Sequence, residues 1–250
     1  MLATHPDQRR DDRPDRPDQP DRPAPPDVRG DFEVHLTVGP GAAEALAAWA
    51  DCHGLKFTHI LLERGASPSQ PMLTLRAGGT LEQVAAVASR ITGQLGRAGF
   101  TVLRAKIEAT PWAEGVPASD EDAAPHGPDR YFEHHVKLLL PAPVPTAGPT
   151  RLAELTELAV RHGAHLSRNP RRVREDGRRE WFVTQRCRLV GLNTAGRRLE
   201  ALLLDLAADG HEVASVEREF VVLDSDEALD AGWITEHGHS AGPYGEGEPR

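Results

Sequence analysis

Cysteine is scarce: Cys52 and Cys187 are the only two in 250 residues. They lie far apart, in different halves of the chain, so no disulfide framework is expected and both are read as reduced thiols. No segment approaches the roughly 18 consecutive apolar residues of a membrane-spanning helix. The N-terminus has no basic stretch leading into an apolar one, so no secretory signal is read and the expected location is the cytoplasm. A glycine-rich phosphate loop, a dinucleotide fingerprint, a nucleophile elbow and a kinase-like set are all missing, and the sequence leaves the cofactor unknown. Positive charge is in deficit too. A formal net charge of -9 and a pI near 5.7 argue against a surface that wraps nucleic acid, and leave room only for a local basic groove. Nothing in the sequence sets an oligomeric state.

Residues 1 to about 30 repeat an Asp-Arg-Pro pattern, as in Asp12-Arg13-Pro14-Asp15-Arg16-Pro17-Asp18. Frequent proline removes backbone donors and few side chains reward burial, so this arm is predicted to be disordered. The Gly- and Pro-rich stretch 236–250 reads as a flexible tail, and 111–129, with Pro111, Pro117, Pro125 and Pro128, as a linker. The regions on either side of that linker, 31–110 and 130–235, are copies of one another. Phe32-Glu33-Val34-His35-Leu36-Thr37-Val38 aligns with Phe132-Glu133-His134-His135-Val136-Lys137-Leu138 without a gap. Helices are predicted over Ala42–His53 and Arg151–His162, each stopped by a glycine, Gly54 or Gly163. Two strands follow in each half, Phe57–Glu63 with Met72–Arg76 and Leu166–Arg174 with Glu180–Leu189, the second pair joined at an Asp176-Gly177 turn whose two residues would both need positive φ. Second helices over Leu81–Ala98 and Thr194–Ala208 and final strands over Val102–Ala109 and Val213–Leu223 complete each unit. The expected fold is therefore α+β, an internal duplication of a βαββαβ ferredoxin-like unit.

Alternation along the first strand of each half puts apolar residues on one face and Glu33, His35 and Thr37, or Glu133, His135 and Lys137, on the other. The final strands add Arg104, Lys106 and Glu108, and Ser215, Glu217 and Glu219. If the two open faces pack together, as in α+β barrels with a pseudo-twofold axis, these charges enclose a polar cleft, and buried charges must be paired or engaged by a ligand. The chain has 26 Arg and three Lys, and two of the three, Lys106 and Lys137, fall on this face, where a compact ammonium donor has a use.

His35-Leu36-Thr37 resembles the His-x-Thr/Ser element of two-histidine phosphoesterases, a duplicated α+β family with one such element on a strand of each lobe. His135 occupies the matching place in the second half, while Lys137 replaces the hydroxyl residue. The resemblance implies acid/base work by His35 and His135 around a phosphate. The run Tyr131 to Lys137 otherwise resembles bacterial sequences to which no activity attaches. On this reading Glu108 and Glu219 orient the histidines, and a small phosphorylated or otherwise anionic substrate is bound by Thr37, Lys106, Lys137, Arg168, Gln185 and Arg186. The Thr184-Gln185-Arg186 element has an apparent echo in Ser69-Gln70-Pro71. The pairs Glu33/His35 and Glu133/His135 offer a metal site instead. A third option is a non-catalytic ligand-binding or regulatory module. The four tryptophans are expected in core or lid packing, and His162 and His165 as cap and loop residues.

Overall fold

The computed structural model describes residues 25–141 and 150–233. The predicted arm up to residue 24 and the tail at 236–250 lie outside the described residues. The end of the arm belongs to the fold: Val28 is buried and its carbonyl accepts the Leu81 amide at 3.1 Å. β1 (Arg29–Val38) begins at the next residue, followed by α1 (Ala43–Cys52), β2 (Lys56–Leu62), β3 (Ser69–Thr80), α2 (Leu81–Arg97) and β4 (Val102–Ala109). After a one-turn helix, α3 (Asp120–Ala123), the order recurs as β5 (Tyr131–Leu140), α4 (Thr150–Arg161), β6 (Ala164–Val173), β7 (Arg179–Arg188), α5 (Leu192–Ala208) and β8 (Val213–Asp224).

Local chemistry sets these boundaries. Gly54 and Gly163 adopt φ of 63° and 62°, the left-handed stops expected of them. Thr80 and Gln83 form a capping box that starts α2. Helix α5 has no side-chain cap of its own. Asp120 supplies one from the connecting segment, accepting the Gly191 amide at 2.8 Å and the Thr194 hydroxyl at 3.0 Å. The segment read as a linker is thus docked on the second half. The β6–β7 turn also differs from expectation: only Gly177 has positive φ, with its amide donating to the Arg174 carbonyl at 2.9 Å, so a glycine after the turn does the work of an Asp-Gly pair.

The strands close into one antiparallel barrel in the order β1-β3-β2-β6-β7-β5-β8-β4. Each half contributes the ferredoxin-like order, β4-β1-β3-β2 or β8-β5-β7-β6, and the half-sheets join edge to edge. β2 meets β6 through Leu61↔Arg168 and Leu62↔Ser167, and β4 meets β8 from Lys106↔Asp224 to Ala109↔Phe220. Exchanging the halves maps the strand order onto itself, so a pseudo-twofold axis passes through the two seams. Closure gives each strand a neighbour on both sides, although the β2–β6 seam is paired over only two positions. The helices lie outside, and the polar strand faces line the lumen.

The apolar faces meet the helices. Val34, Leu36 and Leu73 share a buried cluster with Val84, Ile91 and Leu95 of α2, and Val136, Leu138 and Val183 share another with Leu158 of α4 and Leu202 of α5. Each fully buried Leu or Val contributes on the order of 2 kcal/mol relative to exposure, which offsets the cost of ordering the strands. Trp181 and Trp233 are buried, and Trp49 stacks on His53 at 3.8 Å. Trp112 is 76% exposed, so packing does not explain it.

Candidate functional site: the barrel lumen

The registers of the two halves show which lumen residues correspond. Glu33, His35 and Thr37 of β1 face Arg76, Thr74 and Met72 of β3; Glu133, His135 and Lys137 of β5 face Arg186, Thr184 and Phe182 of β7. The counterpart of Thr184-Gln185-Arg186 is therefore Thr74-Leu75-Arg76. The Ser69-Gln70-Pro71 echo was a coincidence of residue types several positions upstream. On the final strands, Lys106 corresponds to Glu217 and Glu108 to Glu219.

These residues surround a cavity of about 220 Å³. Each histidine sits in a matching frame. His35 Nδ1 is 3.0 Å from the Thr74 hydroxyl and its Nε2 is 2.9 Å from Glu108. His135 Nδ1 is 3.0 Å from the Thr184 hydroxyl, and its Nε2 lies 3.3 Å from Glu133 and 3.4 Å from Glu219. All four ring nitrogens are engaged by protein groups. Between the frames the Lys106 ammonium lies 2.6 Å from both Glu108 and Glu133, tying the halves together. Arg186 donates to Glu133 and, at 2.6 Å, to Asp230. Arg104 donates to Asp224 and, at 2.9 Å, to Asp230.

Burial of so many charges would by itself neutralise them, and pairing decides which stay ionised. For His135, burial opposes charging, but Glu133 and Glu219 together outweigh it and push the pKa up to about 10. Burial also favours neutral Glu133, yet the Arg186 and Lys106 cations beside it hold it well below the usual carboxylate range. Glu108 is lowered in the same way, against burial, by Lys106 and then His35. Burial tends to discharge Lys106, and Glu108 and Glu133 raise it instead. Glu219 moves the other way: burial, and then the charge of Glu108, raise it despite His135.

Of the residues singled out from sequence, His35, His135, Glu219, Thr37, Lys106, Lys137 and Arg186 line the cavity, with Glu108 directly behind His35. Two do not belong there. Gln185 lies on the helix side of β7, its amide donating to the His162 carbonyl at 2.9 Å. Arg168 falls between Ser167 and Asn169, which line the cavity, so strand alternation turns it outward. His165 is a buried residue of β6, and His162 lies 2.8 Å from Asp205. The four proposed metal donors do not form one cluster. Glu33 pairs instead with Lys56 at 3.4 Å and Arg76 at 3.6 Å. Among the described residues, Glu108, Glu133 and His135 do bring donor atoms within 4.8 Å of one another. The Lys106 ammonium already holds the position between both of those carboxylates.

Sequence reasoning missed Thr74 and Thr184, whose role needs the cross-strand register, and Asp230, which arrives from beyond the last strand. It also missed an apolar wall of Phe57, Ile60, Leu62, Met72 and Phe182. Lys and Arg equal Asp and Glu in number along the whole lining, six of each. The lumen is thus balanced rather than generally cationic.

No protein-family model and no curated protein matches the chain. Among solved structures, the small subunit of acetolactate synthase from Thermotoga maritima aligns at 12% identity over 78% of this chain and 95% of its own, with a TM-score of 0.26. The regulatory subunit of aspartate kinase from Thermus thermophilus gives 12%, 71%, 93% and 0.27. A mutant chlorite dismutase from Candidatus Nitrospira defluvii gives 15%, 81%, 94% and 0.27. Likenesses at this level concern the α+β class of fold and carry nothing about ligand or reaction.

Proposed function

We propose that the protein is a ligand-binding module that holds a small amphipathic molecule in the barrel lumen without chemically converting it. The engagement of all four histidine ring nitrogens by protein groups carries this reading. A general base needs a nitrogen aimed at its substrate, within about 3 Å. Acid/base work of the two-histidine kind would require Glu108, or the Glu133/Glu219 pair, to release a ring first. His135 is in addition held as a cation at neutral pH, which suits it to fixing carboxylates rather than to taking protons.

The lining describes the ligand. One wall is apolar, the other carries both signs of charge, and the volume admits a molecule of about ten to fifteen heavy atoms, at the small end of known ligand pockets. A polyanion is disfavoured by the equal numbers of acidic and basic side chains. The test is a thermal-shift screen with small aromatic acids, amino acids, phosphate esters and divalent metals, followed by NMR of each stabilising compound after prolonged incubation. A compound that raises Tm by mass action and is recovered unchanged fits the proposal. Turnover that disappears in a His35→Gln plus His135→Gln variant would overturn it.

A further inference from the structure

After β8 the chain does not leave the barrel. Residues 225–233 fold back over one end as a strap, with a short 3-10 turn at Glu227–Asp230. At its start the strap is pinned to β4, where the Ser225 amide donates to the Ala105 carbonyl at 3.0 Å and the Ser225 hydroxyl accepts the Ala105 amide at 2.8 Å, and Glu227 pairs with Arg188 of β7 at 2.5 Å. Its far end is held by the Ala66 amide donating to the Ala231 carbonyl at 2.9 Å and the Trp233 indole to the Leu166 carbonyl at 2.8 Å. Gly65 permits the close crossing, because a Cβ there would come within 3.1 Å of both the Ala231 carbonyl and the Trp233 backbone.

The strap delivers one carboxylate into the lumen. Asp230 is 3% exposed and accepts from the Gln70 amide at 2.9 Å, Arg104 at 2.9 Å and Arg186 at 2.6 Å. These three donors come from β3, β4 and β7, so both halves build the seat. Both guanidinium groups are also fixed from behind, Arg104 by Asp224 and Arg186 by Glu133. The seat therefore keeps its shape without Asp230, and two forked cations aimed at one point are the usual means of recognising a carboxylate. The pseudo-twofold counterparts of Gln70, Arg104 and Arg186 are Glu180, Ser215 and Arg76, so the other end of the lumen has no such seat.

We propose that the Gln70–Arg104–Arg186 seat is the carboxylate-recognising end of the lumen and that Asp230 is a tethered stand-in, which the carboxylate of a small amphipathic ligand displaces, lifting the strap. The inference rests on the lumen being a ligand site and adds to it the ligand's acidic group and a mechanical output. A tethered group competes at an effective concentration in the millimolar range or above, so removing it exposes the seat to free ligand.

The test uses the full chain, as wild type, Asp230→Ala and Asp230→Asn, with two probes. Phenylacetate carries an apolar ring and a carboxylate, and benzyl alcohol is its uncharged relative. Asp230→Ala is expected to bind phenylacetate about ten-fold or more tighter than wild type, with benzyl alcohol binding both alike. In wild type, saturating phenylacetate should speed hydrogen exchange at the Ala231 and Trp233 amides, which donate within the strap at 3.0 Å. If benzyl alcohol binds but phenylacetate gains nothing from either substitution, the lumen remains a ligand site and the seat assignment fails. Tighter phenylacetate binding without faster strap exchange overturns the displacement. Failure of both probes on all three proteins removes the lumen reading and this one with it. Should Asp230→Ala not fold, Asp230→Asn, which keeps the side chain's shape, decides the affinity comparison.

Discussion

His135 shows how far a side chain's behaviour is set by its neighbours. Its folded pKa of about 10 lies above the ordinary value of 6.5, so the stability it contributes is complete below about pH 6.5 and is lost as pH rises toward 10. We expect stability to fall through this window by an amount on the order of a few kcal/mol, lowering Tm with it, and His135→Gln to flatten that part of the curve. Thermal melts from pH 6 to 10.5 check both. The carboxylates around it should not be equivalent. Glu133→Gln strips Arg186, Lys106 and His135 of a shared counter-charge and should cost about 3–5 kcal/mol. Glu219, whose ionisation is opposed first by burial and then by Glu108, should tolerate the same change within about 1 kcal/mol. Urea denaturation of the two variants at pH 7 separates them.

At the scale of elements, the duplication breaks at one place behind β5. Val34, Leu75 and Ile107 are cross-strand neighbours on the helix side of the first half; the second half has His134, Gln185 and Arg218 there. His134 is fully buried with its Nε2 3.3 Å from the Ala195 carbonyl, and burial pushes its pKa down to about 4, outweighing that carbonyl. His134 Nδ1, Gln185 Oε1 and Arg218 Nε are buried without a hydrogen-bond partner in the structure, each a cost of about 1–3 kcal/mol if no water reaches it. The helices compensate in size, since α2 has Val84 where α5 has Ala195. Combining His134→Val, Gln185→Leu, Arg218→Ile and Ala195→Val should therefore stabilise the fold by about 1–3 kcal/mol and raise Tm, while the first three without Ala195→Val should gain less because a void remains. Differential scanning calorimetry of the two sets tests this. The same comparison explains what the sequence could reveal. Apolar alternation in Phe32–Val38 and Phe132–Leu138 and the helix-stop glycines expose the βαββαβ repeat, and alternation alone brings His35, Lys106 and His135 to one face. Thr74, Thr184 and the outward turn of Gln185 depend on which residues of two strands lie opposite one another, and identical Ser/Thr-Gln steps offered a false match. Asp230 depends on a return of the chain that no local pattern marks.

For the molecule as a whole, the barrel is held shut by two unequal seams. β2 and β6 share two register pairs, supplemented by the Glu63 amide donating to the Leu166 carbonyl at 3.1 Å, whereas β4 and β8 share four. Opening should begin at the shorter seam, so amides at Leu62–Glu63 and Ser167–Arg168 are expected to exchange before those at the centres of β1 and β5. Native-state hydrogen exchange resolved by residue would show the opposite order if the β4–β8 seam yields first. The lumen inside these seams has Lys106 where its pseudo-twofold mate has Glu217, and Thr37 where the mate has Lys137. A dimer of two identical chains must place the same residue at both mates. Such a pocket offers every asymmetric guest two equal poses, related by the axis. Joining the halves in one polypeptide lets the mates differ, so a guest of this lumen would have one head-to-tail direction and a stoichiometry of one per chain.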